Sequence, residues 1–516
     1  MPLVAVAAVL PLYAVWAALL ATGGGDLAAQ LAWTGFTERH PGSAYNLFWY
    51  GGTHTANYSV FSSYVMALLG VRTVSVVAGL AATWLMARLL VRTGMRHALT
   101  PALLAAFALW CNVASGRTTF ALGVAIGLVA CLYADRVVTP VVAGALATMA
   151  SPVAGLFLVV TGAAHLLDRR WRRGAVLMVP FFAVVGATTL LFPFRGEQPM
   201  HANRLWMPVL ICAVLVAAAP RTREWRVTRF GAAVYAVGVC LTFLVASPIG
   251  TNVERLLGLV AVPVLCAAVL DTVRARAWVR TGVLSAALVL SGLWLIDKTV
   301  DDLRVSTPVP AWASHTDGVV TELDRLGARL GRVEVVPARN HREAAVLAPH
   351  VSMARGWNRQ LDVERGRLFY EGTLTPDRYR TWLDRWAVSH VVLHDGQPDG
   401  PAEAEASLVR GGLPWLEQVW RDDGWTIYRV RDAIPLAPPP ATVVSGDDAS
   451  LVVRMPRAGS VTVRIAYSPW LRVRAAGGGA GGCLRQDGEW TRLTVPEGGT
   501  YRLDSAYGPG RFSGGC

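Results

Sequence analysis

The hydrophobic positions of this chain fall into long unbroken runs over its first 297 residues and into short alternating stretches after them. A helix that crosses a bilayer needs roughly 20 consecutive apolar residues, within about 17–25. Runs at 3–21, 73–91, 98–114, 118–134, 137–150, 153–167, 175–193, 205–219, 230–247, 255–271 and 281–296 predict about eleven transmembrane helices. The stretch 137–167 also reads as one broken pair. The first run has no basic residues ahead of it and ends in Thr22-Gly-Gly-Gly25 rather than a small-x-small site. It is therefore expected to be a span and not a cleaved leader.

Arginine placement predicts the orientation. Arg88, Arg92 and Arg96 follow the second run, and Asp168-Arg-Arg-Trp-Arg-Arg173 follows the sixth. Arg221, Arg223, Arg226 and Arg229 follow the eighth, and Arg274, Arg276 and Arg280 the tenth. All four clusters share one side if 57–70 does not cross. That places the N-terminus in the cytoplasm, makes 22–72 a long first outer loop, and puts residues 298–516 outside the plasma membrane. Within the loop, 27–38 predicts a short helix and 57–70 a helix lying at the outer interface.

After Lys298 the period changes. Asp317–Leu330 and Pro376–Trp386 predict helices, and Val333–Val336, His390–His394 and Thr426–Val430 predict strands, so 298–435 is expected to be an α/β module. Pro435–Pro440 reads as a linker. Residues 441–516 carry alternating stretches separated by glycine-rich turns, the pattern of a small antiparallel β-sandwich. The predicted fold class is a mainly α-helical polytopic membrane domain, 1–297, followed by these two extracytoplasmic modules.

Composition sharpens this. Hydrophobic residues make up 53% and charged residues 16%, where soluble domains carry about 25% charge. A disordered chain is excluded and a cytosolic one disfavoured. The net charge is +13, and every basic residue counted in it but Lys298 is arginine. A basic balance suits nucleic acid or membrane; the apolar runs decide for the bilayer, with no nucleic-acid partner. Five of the seven cysteines lie in the runs as packing residues. Cys483 and Cys516 lie outside, where an oxidising compartment permits a disulfide between them. No CxxC, HExxH, P-loop or Rossmann glycine pattern is present.

The candidate chemistry lies in the outer loops. Asp26 follows three glycines directly after the first run. A carboxylate near bilayer depth is a functional candidate, and Asp26 suits a general base. It equally suits a helix cap for 27–38. Trp33, His40, Trp49, Tyr50, His54 and Tyr58 crowd the same loop. Aromatic rings with polar edges suit sugars, and they equally form interfacial belts. The two glycines of Trp49-Tyr-Gly-Gly-Thr-His54 allow a tight backbone beside a ligand. Arg117, Arg204 and Arg255 stand at outer ends of runs, with Asn252 beside the last. Arginine's planar fork suits phosphate; a snorkelling arginine instead meets lipid headgroups.

A loop that opens GGGDLAAQ and continues HPGSAYNLFWYGG into an interfacial helix resembles the polyprenyl-phosphate-dependent membrane glycosyltransferases of the GT-C superfamily. It is similar to the branch whose first loop reads Asp-x-x-x-Gln or Asp-x-x-x-His. The stretches ARGWNRQLD (354–362) and RYRTWLDRWAVSHVVL resemble actinobacterial membrane proteins of this type. The resemblance implies that a sugar moves from a lipid-phosphate carrier to a glycan or lipid acceptor on the outer face. Asp26 would match the family's catalytic carboxylate, and Arg255, Asn252, Arg117 and Arg204, by the arginine chemistry above, are expected to hold the donor phosphate. No second acid adjoins Asp26, so a divalent metal enters only if Glu38 or Glu254 joins it; no other cofactor is implied.

Two further readings compete with this one. A transporter or flippase of envelope precursors has many spans and no nucleotide motif, but it favours repeated halves and mid-depth ionisable groups. A non-catalytic envelope-assembly protein shares the fold without the chemistry.

Overall fold

The computed structural model describes residues 1–94, 97–478 and 481–508. The chain forms two compact units. One comprises Met1–Thr22 with Ser59–Thr307, the other Gly23–Tyr58 with Pro308–Cys516. Residues 23–58 thus belong to the second unit, although hydropathy alone groups them with the spans on either side.

The first unit is helical. Its apolar runs become Pro2–Val15 (continued by one wider turn, Trp16–Leu20), Val71–Arg92, Leu99–Ala114, Thr118–Leu132, Val138–Ala150 and Pro152–Leu167. Trp171–Leu191, Trp206–Ala218, Arg226–Leu244, Glu254–Arg274 and Trp278–Ser306 complete the set. Six of the helices among the described residues are long and apolar enough to cross a membrane by length and composition; five more are apolar but of 10–17 residues. The expectation of about eleven spans therefore rests on the shorter five. Helices pack through small side chains, such as the buried Ala102, Ala105, Ala106 and Ala108 of one helix, because small residues let backbones approach closely. Buried threonines bond back to their own helix, as Thr83 to the Gly79 carbonyl and Thr299 to that of Leu295, so these hydroxyls are paired without leaving the helix. The outward faces are apolar: Leu190, Leu244 and Val279 are 79%, 74% and 83% exposed. That surface is expected of a membrane protein.

The four arginine clusters are joined to one another. Arg92 donates to the Leu132 carbonyl, and Arg173 pairs with Asp135 in the turn that follows. Arg170 and Arg226, from two clusters, share the buried Asp168. Trp225 donates to Asp271, one turn before Arg274. The connections that carry them thus converge.

The second unit combines an α/β layer and a β-sandwich. The layer's sheet runs Arg332–Val335, Val388–His394, Trp425–Val430, Leu416–Arg421; the first pair is parallel, the others antiparallel. The sandwich packs a four-stranded sheet (Leu471–Ala475, Gly499–Ser505, Leu451–Met455, Thr442–Gly446) with a three-stranded one (Cys483–Asp487, Trp490–Val495, Gly459–Ala466). Inward Val453, Val463, Leu493, Tyr501 and Leu503 form its core. Three strands escape the hydropathy pattern: 416–421, 442–446 and 483–487. Each is an edge strand whose side chains are almost all half-buried or exposed, so the alternation that marks a half-buried strand is missing. Cys483 opens one of them; its expected partner Cys516 lies outside the described residues.

Candidate functional site

Within the second unit the first loop is a structural element. Helix Asp26–Arg39 starts after Gly25, whose φ of 63° suits glycine. Gly25 donates to the Asn340 carbonyl at 2.7 Å and its own carbonyl accepts from Trp357 Nε1 at 3.1 Å. Trp357 stacks on His341, ring centroids 3.4 Å apart. Asp26 is half-buried and stands in the first helical turn, with Gly25 in the cap position. The capping expectation is therefore replaced: a carboxylate at this place faces the positive end of the helix dipole.

The aromatic residues of the loop form a core. Trp33, Trp49 and Tyr50 are buried, with edge-on contacts from Trp33 to Phe48 and Trp49 and stacking of Trp33 on Tyr58 at 5.3 Å. Tyr50 both donates to and accepts from the Asn358 backbone, and burial pushes its phenol well above the ordinary value. Trp33, Trp49 and Tyr50 are enclosed and offer no open face to a sugar. His54 bonds Ser468 Oγ at 2.9 Å, and His40 bonds Asp448 at 2.6 Å beside Arg39. Both histidines tie the loop to the sandwich. The glycines of the Trp-Tyr-Gly-Gly turn serve packing too. A Cβ at Gly52, φ 120°, would stand 2.3 Å from the Tyr45 ring.

The stretch 354–362 is the cement of this unit. Arg355, fully buried, binds Glu334 at 2.5 Å and also Glu405, while Tyr379 donates to Glu405 at 2.8 Å. Asn358 caps helix Arg359–Arg365, and Arg359 pairs with Asp399 at 2.6 Å. Burial pushes both carboxyls, Glu334 and Glu405, upward. Two acids share one arginine in a dry interior, so burying charge there favours a retained proton. The only described group with metal-ligand spacing is His40, Asp447 and Asp448, whose ligand atoms lie within 4.8 Å of one another. Asp448 is already engaged by Arg39 and His40.

In the helical unit the arginines named from sequence converge. Arg117 and Arg255 line one small cavity of about 30 Å³ with Asn112, Glu254, Lys298 and Thr299, room for a water or an ion-sized group. Glu254, 3% exposed, accepts from Lys298 and lies 3.9 Å from Arg204. Arg117 pairs with Asp302 at 2.9 Å. The Arg255 guanidinium sits 5.3 Å over the Phe120 ring, and Lys298 sits 5.1 Å over Trp294. Arg117, Arg204, Arg255 and Lys298 thus meet around Glu254 and Asp302 in a largely apolar unit, and guanidinium and ammonium donors gathered in this way suit an anion. Asn112 is buried and its carbonyl oxygen has no hydrogen-bond partner. Asn252 turns elsewhere, bonding Gln198 at 3.0 Å.

Glu254, Lys298, Asp302 and Asn112 escape a search for outer arginines. Lys298 carries its own signal, being the single lysine in the chain. Asn112 carries the other, a lone amide inside an apolar run.

No curated protein matches the chain. Residues 438–516 match a domain of unknown function, DUF8823. Among solved structures, arabinofuranosyltransferase AftD from mycobacteria is similar over 98% of this chain and 57% of that one, at 14% identity and a TM-score of 0.47. A mutant of the same enzyme gives 13% identity, 98% and 60% coverage, and a TM-score of 0.44. The chain spans less than two thirds of the length of these structures.

Proposed function

We propose that this protein is a membrane glycosyltransferase of the cell envelope, which moves a sugar from a polyprenyl-phosphate donor to a glycan or lipid acceptor. The observation that carries the reading is the meeting of Arg117, Arg255 and Lys298 at one cavity of the helical unit, with Arg204 at its Glu254. Such a cluster in apolar surroundings suits the phosphate of a lipid carrier, whose tail lies among the helices. The first-loop resemblance supplies the base, Asp26. The outer-face orientation follows the arginine bias.

The reaction is a single displacement. Asp26 takes the proton of the acceptor hydroxyl, and that oxygen attacks the anomeric carbon. The bond from that carbon to the phosphate oxygen breaks, and the polyprenyl phosphate departs with the bonding pair. The cations stabilise the charge developing on the leaving oxygen, and the anomeric configuration inverts. The buried aromatic residues of the first loop have no contact with sugar in this scheme; they hold Asp26's helix in place.

The test is transfer from a synthetic polyprenyl-phosphate sugar by the full chain in nanodiscs. Asp26→Asn is expected to fold with an unchanged melt and to lose about 10²–10⁴ in kcat. Arg117→Met is expected to raise KM for the donor. Full activity of folded Asp26→Asn would overturn the assignment of the base. Movement of the intact lipid-linked sugar across vesicles without transfer would favour the flippase.

A further inference from the structure

The outer face of the four-stranded sandwich sheet carries a ladder of arginines. On strand Leu471–Ala475, the inward Leu471, Val473 and Ala475 alternate with Arg472 and Arg474. On Gly499–Ser505, the inward Tyr501 and Leu503 alternate with Arg502 and Asp504. On Leu451–Met455, the outward residues are Val452 and Arg454. Arg474 stands directly opposite Arg502. Arg502 pairs in register with Val452, so Arg454 lies one diagonal step further. Arg474, Arg502 and Arg454 therefore form a line across three strands, with steps of about 5 and about 7 Å between Cβ atoms.

This arrangement is unfavourable for folding alone. Like charges directly opposite on a sheet repel. A single carboxylate, Asp504, serves Arg472, Arg474 and Arg502; Arg472 pairs with it closely, and the other two stand 3.8 and 3.9 Å away. Arg474 and Arg502 remain 58% and 53% exposed. Next to Arg454 on both neighbouring strands are threonines, Thr500 and Thr442, so its charge has no cross-strand counterpart. Edge strands use charge against aggregation, but Arg502 belongs to an inner strand with partners on both sides.

We infer that this face binds a linear acidic polysaccharide. A line of guanidinium groups with steps near the length of one sugar residue matches a chain bearing an anion on successive residues. Each planar fork suits a carboxylate or phosphodiester oxygen. At the end of the same two strands, Trp470 and Tyr507 meet edge-to-face at 5.8 Å, with Tyr507 40% exposed, adding an aromatic edge to which a sugar can pack. A lipid surface fits less well, because the centre of the face is polar apart from the half-buried Val452 and carries no aromatic or long aliphatic side chain to insert. The inference stands apart from the transferase reading and uses none of its residues.

The test uses the full chain in uncharged detergent micelles, with polygalacturonate as probe and its fully methyl-esterified form as the uncharged control. Polygalacturonate is expected to bind, the ester to bind at least tenfold more weakly, and the affinity to fall as salt rises. The triple exchange Arg454→Ser, Arg474→Ser and Arg502→Ser is expected to lose at least tenfold in affinity and to melt no lower than the parent. Exchange of the exposed Arg367 and Arg378 to Ser, elsewhere on the unit, is expected to leave the affinity unchanged. Absence of binding by the parent, equal binding by the triple variant, equal loss in the control variant, or binding only to micelles doped with anionic lipid would each overturn the inference.

Discussion

Lys298 donates to the carboxylate of Glu254 inside the helical unit, where the Glu254 side chain is 3% exposed and the lysine side chain 25% exposed. The single lysine of the chain thus neutralises one of its most enclosed acids. The pair also fixes the helix Trp278–Ser306 against the first turn of Glu254–Arg274.

That pairing predicts an asymmetry between two substitutions. Lys298→Met takes the close cation from a buried carboxylate whose ion pair with Arg204 is longer, at 3.9 Å. Breaking a buried pair by removing one partner costs about 3–5 kcal/mol. Glu254→Gln leaves an acceptor for a lysine whose side chain is the less enclosed of the two, so its cost is expected to be smaller. The double substitution is expected to recover part of the loss of Lys298→Met. Thermal melts of the four proteins in one detergent check this. Equal losses for both single variants, with simple additivity in the double, would show that the pair is not coupled.

The extent to which the chain itself announces this arrangement differs between its two units. Helices such as Val71–Arg92 and Glu254–Arg274 are legible because a span must be apolar over its whole length. The helical layer of the second unit is legible where one face is buried, as in Asp317–Arg325 with Val319 and Leu323 inward. The place of residues 23–58 is not legible, because Trp33, Trp49 and Tyr50 have the same composition whether they meet lipid, sugar or one another. Only tertiary contacts such as Tyr50 to Asn358 and His54 to Ser468 decide for a core. The converging arginines were legible one by one from their position at outer ends of spans. Their meeting around Glu254 and Lys298 was not, since it joins residues from opposite ends of the domain.

The buried cluster of Arg355, Glu334 and Glu405 predicts a charge-dependent stability. Removing Arg355 leaves two enclosed carboxyls without their shared cation, so Arg355→Met is expected to destabilise by about 3–5 kcal/mol. Glu334→Gln keeps an acceptor for Arg355 and removes one excess negative charge, so it is expected to remain folded. Both carboxyls are held above their ordinary value by burial. Their contribution is complete below the ordinary carboxylate pKa and declines as pH rises through their folded values. Glu334→Gln is therefore expected to flatten the loss of stability on alkalinisation, read from melts at rising pH from the ordinary carboxylate range upward. A steeper loss in that variant would contradict the account of protons retained by burial.

His390 predicts the opposite slope on the acid side. It is buried at 5% exposure on the central strand Val388–His394, with Nδ1 bonded to Ser389 Oγ at 3.0 Å and Nε2 unpartnered. Burial first, then the neighbouring Arg429, push the ring down to about 4. A neutral ring is thus retained in the folded chain while the unfolded chain takes up a proton near pH 6.5. Its contribution is complete above pH 6.5 and is lost as pH falls toward 4, by about 1.4 kcal/mol per unit and about 3 kcal/mol in all. His390→Gln removes the titration and keeps a polar side chain for Ser389. The variant is expected to melt less steeply with acidification than the parent over this window, whatever its stability at pH 7. The difference between the two curves isolates the histidine from Glu334 and Glu405, whose effect runs the other way. Parallel curves from pH 7 to pH 4 would mean that the ring is charged in the folded protein.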